Sequence, residues 1–268
     1  MKNHTDCFNT IAQAAIEGRL LWMPDQDGAT LLKPVGVHSG FEPETQLEND
    51  YQILIKAGNT IAPNTGRPEV FFEAAYPNIH KEFWIVSEMG ARITSPGGAI
   101  VTENPVPNRD GLIQLLTKEL EQFPGAFIED GKNCAITLAL TDAQDRMGAY
   151  NHLLRLTQEI ARNDGIHIKS GDLPYNTHIE LVPKGVDKGS GTEFFVSHEA
   201  FKDHLFVCIG DSRPDEDMMA VVNDVGGISI GVGIQSPENV HMRLKDHNDA
   251  QEFVHQVALK VAQHYRYG

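Results

Sequence analysis

Short, mostly apolar runs that each end in proline, glycine or a polar residue recur along this chain, and they limit its fold more than any other feature. The runs cover residues 20–23, 60–62, 83–86, 205–209 and 228–230. Runs of this length are typical of strands that are buried on both faces, and apolar residues at helical spacing lie between them. Strands that alternate with helices predict an α/β fold, in which a parallel sheet carries helices on both faces.

A different rhythm occupies the chain between about residue 92 and residue 180. One helix is predicted to follow Asp110, and another follows a capping box formed by Thr141 and Gln144. An Asp-Gly pair at 130–131 predicts a hairpin turn. The predicted strands form two pairs, at residues 126–128 and 135–138 and at residues 166–168 and 179–181. This stretch therefore predicts an α+β unit of two helices and two hairpins.

We expect the α+β unit to be a cap domain, residues 93–181, inserted into a Rossmann-like core. Residues 1–92 would form the first part of that core and residues 182–268 the second. Ligands of open parallel sheets bind beyond the carboxyl ends of the strands. A cap placed over that edge of the sheet would act as a lid.

The charge balance excludes some partners. The chain has 22 Lys and Arg residues against 37 Asp and Glu residues, a formal charge of −15. Such a surface repels nucleic acid and anionic membranes, so we expect neither as a partner. A small phosphate can still bind where a divalent metal and a few basic groups reverse the local field. The charge therefore leaves a small phosphorylated substrate open.

Neither a membrane anchor nor a disulfide framework is expected. No stretch approaches the run of about 18 apolar residues that a membrane helix needs, and the first residues lack a basic leader. A cytoplasmic location is the expectation. The three cysteines, Cys7, Cys134 and Cys208, are far apart and form no CxxC pair, which argues against a zinc site.

The first polar loop carries two aspartates one residue apart, Asp25 and Asp27, followed by Gly28. Asp25 would attack phosphorus, while Asp27 would protonate the leaving oxygen and then activate water. Gly28 would permit a sharp turn that keeps the backbone near a phosphate. An isolated Asp-x-Asp-Gly string is more often a surface turn. The assignment therefore depends on what the other strand ends supply.

The next two polar loops offer groups that bind phosphate. The second loop contains Thr65, Gly66 and Arg67, and a hydroxyl and backbone amides at a helix start can hold phosphate oxygens. The third loop contains Lys184 and Lys188. A lysine here would neutralise charge on the nucleophile and on the transferred phosphoryl group. Lys188 is the preferred candidate because it stands at the start of the next predicted helix.

The fourth loop supplies carboxylates, Asp211 and Asp215. Magnesium prefers oxygen ligands, so Asp211 can complete a site begun by Asp25 and the carbonyl of Asp27. Asp215 would lie behind the direct ligands of the metal site, where it would hold Lys188 or a metal-bound water. Together the four loops predict a magnesium-dependent site for phosphoryl transfer.

The four loops, in this order, resemble the motifs of the haloacid dehalogenase superfamily. A cap between the second and third motifs is typical of its sugar-phosphatase branch, whose caps have an αββαββ order. Within that branch, residues 182–189 and 210–219 look most like trehalose-phosphate phosphatases, as does the stretch 127–132. The resemblance implies Mg²⁺ as the cofactor. It also implies that Glu129 and Lys132 of the cap contact the sugar.

The resulting expectation is hydrolysis of a sugar phosphate monoester through an aspartyl-phosphate intermediate, with trehalose 6-phosphate as one candidate substrate. Two positions depart from the family pattern, Ala29 in the first motif and Ser212 in the fourth. Phosphatases of the mannosyl-3-phosphoglycerate and sucrose-phosphate types therefore stay open as alternatives. A catalytically weakened phosphosugar-binding regulator and a phosphomutase are further hypotheses.

Overall fold

The computed structural model describes residues 4–31, 44–162, 165–170 and 177–267. Its strands are, in chain order, β1 (Leu20–Pro24), β2 (Thr60–Ile61), β3 (Ile85–Ser87), β4 (Arg92–Ser95), β5 (Ala99–Glu103), β6 (Phe127–Ile128), β7 (Ile136–Ala139), β8 (Ile166–Ser170), β9 (His178–Pro183), β10 (Leu205–Gly210), β11 (Ile228–Val232) and β12 (Met242–Leu244). The α-helices are α1 (His4–Ile16), α2 (Thr45–Lys56), α3 (Val70–Ala75), α4 (Arg109–Leu120), α5 (Arg146–Ala161), α6 (Lys188–Ser197), α7 (Glu216–Asp224) and α8 (His247–Tyr267).

A parallel sheet forms the centre of the core, and the α/β fold is confirmed. Its strand order is β12-β11-β10-β1-β2, and each pair of neighbours is parallel. A bridge between Asn64 and Val86 attaches β3 beyond β2. The carboxyl ends of β1 and β10 are adjacent, because Pro24 pairs with Ile209. The loops that follow these two strands therefore start side by side.

Helices cover both faces of this sheet, as the apolar runs predict. In β1, Leu20 and Trp22 belong to one hydrophobic cluster, which includes residues of α1, α2 and α8. Leu21 and Met23 belong to another, which includes residues of α6 and α7. Successive side chains of a strand point to opposite faces, so a strand covered on both sides must be apolar at every position. Within the described ranges, no helix has the length and apolar character needed to cross a bilayer.

A second sheet lies in the α+β unit. It is antiparallel, with the order β6-β7-β9-β8, and α4 and α5 pack on one face of it. The hydrophobic cluster of this unit runs from Val106 to Leu181 and is separate from the two clusters of the core. Both predicted strand pairs are present. The observed elements follow the order helix, hairpin, helix, hairpin, and the domain boundaries at 93 and 181 stay a prediction.

One local prediction in this unit is wrong. Helix α5 begins at Arg146 rather than after Thr141, and its cap is Asp145, whose Oδ1 accepts the N–H of Gly148 at 2.9 Å. A box at Thr141 would bind the N–H of Gln144, but that N–H donates to the Pro124 carbonyl at 2.9 Å. The predicted turn at Asp130-Gly131 is present, and Gly131 has a φ of 83°. Ile128 pairs with Leu138, so this turn is part of a longer loop that joins β6 to β7.

Candidate active site

Asp25 lies immediately after β1, where the sheet ends. Its N–H donates to the Ile209 carbonyl of β10 at 2.8 Å, and its own carbonyl accepts the Thr30 hydroxyl at 2.7 Å. Gly28 has a φ of +83°, and a Cβ there would lie 2.4 Å from Oδ2 of Asp211. The first loop can therefore approach the fourth this closely only because residue 28 is glycine.

Lys188 lies between two carboxylates at the first residue of α6. Its Nζ is 2.8 Å from Oδ1 of Asp25 and 2.6 Å from Oδ1 of Asp215. The helix start is fixed by Asp187, which accepts the N–H of Ser190 at 2.7 Å. Lys184, by contrast, is exposed. The preference for Lys188 over Lys184 thus agrees with the geometry.

Burial and charge act against each other at this ion pair. Burial lowers the pKa of Lys188, but the carboxylates of Asp215 and Asp25 outweigh it, so the net shift is upward. Burial raises the pKa of Asp25 to about 8, and the neighbouring Lys188 ammonium opposes that rise. The ammonium thus stabilises the ionised form of Asp25, the form that a nucleophile needs.

The fourth loop is organised around Asp215, which is fully buried. Its Oδ2 accepts the N–H groups of Asp211 and Ser212, each at 3.0 Å, and the Ser212 hydroxyl at 3.3 Å. Its Oδ1 accepts Lys188. Both oxygens of Asp215 are therefore engaged within the protein, which favours a role in holding Lys188 and the loop.

The carboxylates of this site fit a magnesium ion. Asp25, Asp211 and Asp215 each offer an oxygen, and these oxygens lie within 4.8 Å of one another. Hard oxygen donors of this kind are those that Mg²⁺ prefers. Since both oxygens of Asp215 already have partners, Asp25 and Asp211 are the better placed ligands, and Gly28 leaves the space beside Asp211 open.

The second loop runs beside the same edge of the sheet. Thr65 is buried, its N–H donates to the Val86 carbonyl at 2.9 Å, and its hydroxyl accepts the N–H of Arg67 at 3.2 Å. The Asn64 side chain donates to the Lys188 carbonyl at 2.8 Å. This bond joins the second loop to the third.

Arg67 makes the ion pair that orients Asp27. Its Nε donates to Oδ2 of Asp27 at 2.7 Å and its Nη2 donates to Oδ1 at 3.1 Å. Lysine cannot reproduce this bidentate geometry. Its Nη1 also lies 3.8 Å from Oε1 of Glu129, in the α+β unit. Arg67 therefore links the first loop to the cap, a role that the sequence pattern does not reveal.

A buried polar cluster faces the core from the sheet of the α+β unit. Nζ of Lys132 lies 2.6 Å from Glu180, 2.7 Å from the Thr137 hydroxyl and 3.3 Å from Glu129. Burial alone would lower the pKa of Lys132 and raise that of Glu180. Their mutual attraction reverses both shifts. Three carboxylate or ammonium groups at one place could bind the hydroxyls of a sugar.

Glu180 is absent from the sequence-based assignment of sugar contacts. A signal for it exists in strand β9, where it stands between the buried apolar residues Ile179 and Leu181. Alternation along a strand places such a residue on the face away from the helices. Glu129 and Lys132, which were assigned by resemblance, meet Glu180 at this face.

A sequence model of the trehalose-phosphatase family matches residues 49–251. The chain belongs to the trehalose-phosphatase family. The matched range includes the Thr65, Lys188 and Asp211 loops, whereas Asp25 and Asp27 precede it. The roles expected for these two aspartates therefore depend on the superfamily motif and on their contacts, Asp25 with Lys188 and Asp27 with Arg67.

Relatives of this trehalose-phosphatase family member carry matching names. A "probable trehalose-phosphate phosphatase" of Sinorhizobium fredii is 27% identical over 187 residues, which are 68% of this chain and 66% of that protein. The trehalose-6-phosphate phosphatase of Escherichia coli is 32% identical over 126 residues, 47% of this chain and 44% of that protein. The matches therefore span between about half and two thirds of the relatives' lengths.

Solved structures agree with the fold of this family member. The C-terminal domain of the C. albicans trehalose-6-phosphate phosphatase has a TM-score of 0.73 at 20% identity, covering 94% of this chain and 96% of that one. A trehalose-6-phosphate phosphatase related protein has a TM-score of 0.72 at 21% identity, with 91% and 99% covered. At these identities the likeness concerns the fold.

Proposed function

We propose that this trehalose-phosphatase family member is a Mg²⁺-dependent phosphatase that hydrolyses a sugar phosphate monoester, with trehalose 6-phosphate as the first candidate. The observation that carries the proposal is the position of Lys188, bound to Asp25 and Asp215 beside Asp211. This arrangement supports the assignment of Asp25 as the nucleophile, of Lys188 as the cation and of the carboxylates beside them as metal ligands. Phosphoryl transfer depends on positioning and charge stabilisation of this kind.

In the first step, a carboxylate oxygen of Asp25 forms a bond to phosphorus while the bond from phosphorus to the sugar oxygen breaks. The sugar oxygen takes a proton from the carboxyl group of Asp27, so the sugar leaves as an alcohol. Lys188 neutralises charge on the Asp25 carboxylate and on the phosphoryl oxygens. The Thr65 hydroxyl and the N–H of Gly66 bind the phosphoryl oxygens, since the N–H groups of Thr65 and Arg67 already donate within the protein.

In the second step, Asp27 takes a proton from water as the water oxygen bonds to phosphorus. The bond from phosphorus to the Asp25 oxygen breaks as the water oxygen bonds, which releases phosphate, leaves Asp25 as a carboxylate and returns Asp27 to its protonated form. Arg67 fixes the side chain of Asp27 through its two bonds. Asp25, Asp211 and the carbonyl of Asp27 would hold Mg²⁺, which supplies positive charge for the transferred phosphoryl group.

The cap would select the sugar. Glu129, Lys132 and Glu180 offer an ammonium and two carboxylates, which suit the many hydroxyls of a disaccharide. Arg67 bridges from this cluster to the first loop, so sugar binding and proton transfer share one side chain. Which phosphosugar fits best is a question for a substrate panel.

The test is phosphate release with Mg²⁺ from trehalose 6-phosphate, sucrose 6-phosphate, mannosyl-3-phosphoglycerate and p-nitrophenyl phosphate. We expect release from at least one phosphosugar, loss of release with EDTA and with Asp25→Asn, and recovery when Mg²⁺ is added back. Borohydride reduction during turnover should convert Asp25 to homoserine, which mass spectrometry detects, since only an acyl phosphate is reduced this way.

Other outcomes point to the alternative hypotheses. Tight binding of a phosphosugar without phosphate release from any compound would favour the binding regulator. Isomeric sugar phosphate as the product, in place of free phosphate, would favour a phosphomutase. Full activity of Asp25→Asn would refute the assignment of the nucleophile.

A further inference from the structure

The chain adopts an uncommon backbone where β3 ends. Glu88, Met89 and Gly90 have φ values of 53°, 62° and 96°, all in the left-handed region. This region is unfavourable for residues that carry a Cβ, and a run of two such residues is rare. Strained backbone of this kind persists only where the surroundings hold it, and it is concentrated at functional sites.

The turn is held by two loops of the candidate active site. The N–H of Glu88 donates to the Arg67 carbonyl at 3.1 Å, and the N–H of Met89 donates to the Thr65 carbonyl at 3.0 Å. A Cβ on Gly90 would lie 2.2 Å from the carbonyl oxygen of Asp187, which caps the Lys188 helix. The turn thus packs against both the phosphate-binding loop and the helix that carries the lysine.

From this turn the Glu88 side chain reaches into the α+β unit. Its carboxylate is fully buried and accepts three consecutive backbone N–H groups, those of Asn133 at 2.9 Å, Cys134 at 2.7 Å and Ala135 at 2.8 Å. Bonds from backbone amides to a carboxylate are about twice as strong as bonds between neutral groups. One core side chain therefore fixes the backbone of a cap loop.

That loop carries Lys132 at its first position. The loop is also held within its own unit, because Arg109 donates to the carbonyls of Lys132 and Ala135, and the N–H of Val106 donates to the Cys134 carbonyl at 2.9 Å. Arg109 and Val106 hold the loop to the cap, whereas Glu88 holds it to the core. Of these contacts, Glu88 sets where the loop lies relative to the phosphate-binding loop.

We infer that Glu88 is a positioning residue for the sugar. By fixing the amides of residues 133–135, it places the Lys132 ammonium against Glu180 and Glu129, at a set distance from the loop of Thr65 and Arg67. The inference rests on the proposed function, since it assigns to Glu88 the spacing between the sugar-binding cluster and the phosphate-binding loop. Glu88 itself does not touch the reacting atoms.

The test compares Glu88→Gln and Glu88→Asp with the matched control Glu48→Gln. Glu48 is likewise a buried carboxylate that accepts a backbone N–H, that of Asn78 at 2.7 Å, but it lies within the core. Aspartate adopts the left-handed region more readily than glutamate, so Glu88→Asp retains the charge and favours the turn while its carboxylate falls short of the amides. This variant keeps the test valid where Glu88→Gln folds poorly.

We expect both Glu88 variants to raise KM for trehalose 6-phosphate by about tenfold, the effect of losing a hydrogen bond to a charged group. Their kcat/KM for p-nitrophenyl phosphate, which has no sugar to reach Lys132, should stay within about twofold of the parent. Glu48→Gln should leave both substrates unchanged. Equal losses for the two substrates, or the same KM change in Glu48→Gln, would overturn the inference.

A second readout does not require turnover. Lys132 is 7% exposed, so its acetylation by an N-hydroxysuccinimide ester, measured by mass spectrometry, should be slow in the parent and faster in both Glu88 variants. Unchanged labelling of Lys132 would overturn the inference even in an active phosphatase. Faster labelling in a protein that releases no phosphate would instead refute the proposed function and support the positioning role.

Discussion

Asp215 offers the sharpest test of how the fourth loop is organised. Its Oδ1 accepts Lys188 at 2.6 Å, and its Oδ2 accepts the N–H groups of Asp211 and Ser212. In Asp215→Asn one oxygen becomes an NH₂ group, which must face either the ammonium or the two amides. Both positions are donors, so each orientation of the amide leaves donors opposed.

The size of the effect follows from these contacts. A lost hydrogen bond to a charged group costs about 1.5–3 kcal/mol, and breaking a buried ion pair by removing one partner costs about 3–5 kcal/mol. Lys188 keeps Asp25 at 2.8 Å, and loss of the Asp215 charge lowers the pKa of Asp25, so the ionised Asp25 limits the loss. We therefore expect Asp215→Asn to lower the free energy of unfolding by about 3–4 kcal/mol, a large part of the 5–15 kcal/mol that is typical of domains.

The measurement is urea unfolding at pH 7 in EDTA, since bound metal would add its own stabilisation. Asp217→Asn is the matched control, because Asp217 is an exposed carboxylate in the first turn of α7, the helix that begins directly after Asp215. Removing its charge changes the free energy of unfolding by about 0.3–1 kcal/mol, the size of an interaction between one charge and the helix dipole. Equal losses in the two variants would refute the role assigned to Asp215. Phosphate release should fall in Asp215→Asn and stay unchanged in Asp217→Asn.

Three further predictions concern the other loops. Burial raises the pKa of Asp25 to about 8, so between about pH 4 and pH 8 the metal-free native state binds a proton that the unfolded state releases. The free energy of unfolding should therefore fall as the pH rises through this range. Urea unfolding of Asp25→Asn should not show this pH dependence. Gly28→Ala should abolish Mg²⁺-dependent phosphate release, since the new Cβ would lie 2.4 Å from Asp211. The control is Gly185→Ala, which is also at positive φ but has no neighbour within 4 Å. This variant should stay active and lose only about 1–2 kcal/mol of the free energy of unfolding in urea. Arg67→Lys should lower kcat for sugar and aryl phosphates alike by about tenfold, because lysine cannot make both bonds to the second aspartate of the first motif, and an unchanged kcat would contradict that role.

Much of the core was predictable because its strands are buried on both faces. The runs at 20–23 and 205–209 are apolar at every position, and they became the neighbouring strands β1 and β10. Neighbouring parallel strands end at the same edge of the sheet, so the pattern also predicts that Asp25 and Asp211, in the loops after these strands, lie close together. The capping box at Thr141 failed, since the N–H of Gln144 that it would bind donates to the Pro124 carbonyl, and α5 begins only after Asp145.

The contacts between the two units could not be predicted from local pattern. Arg67 looks like a phosphate-loop residue, yet it pairs with Asp27 and approaches Glu129, which is 62 positions away in the chain. Glu88 has the appearance of an ordinary surface acid after a strand. Its burial depends on a left-handed turn and on three amides from a separate unit. No periodicity in the sequence encodes such a partner.

The sequence by itself determined the fold class and the kind of chemistry, because burial periodicity and polar strand ends are local properties of the chain. Only the tertiary structure decided which carboxylates bind Lys188, that Arg67 contacts both Asp27 and Glu129, that Glu180 contacts Lys132, and that Glu88 binds the amides of residues 133–135. These depend on distances between residues that are far apart in sequence. Charged groups interact through space, so their roles become defined only when folding sets those distances.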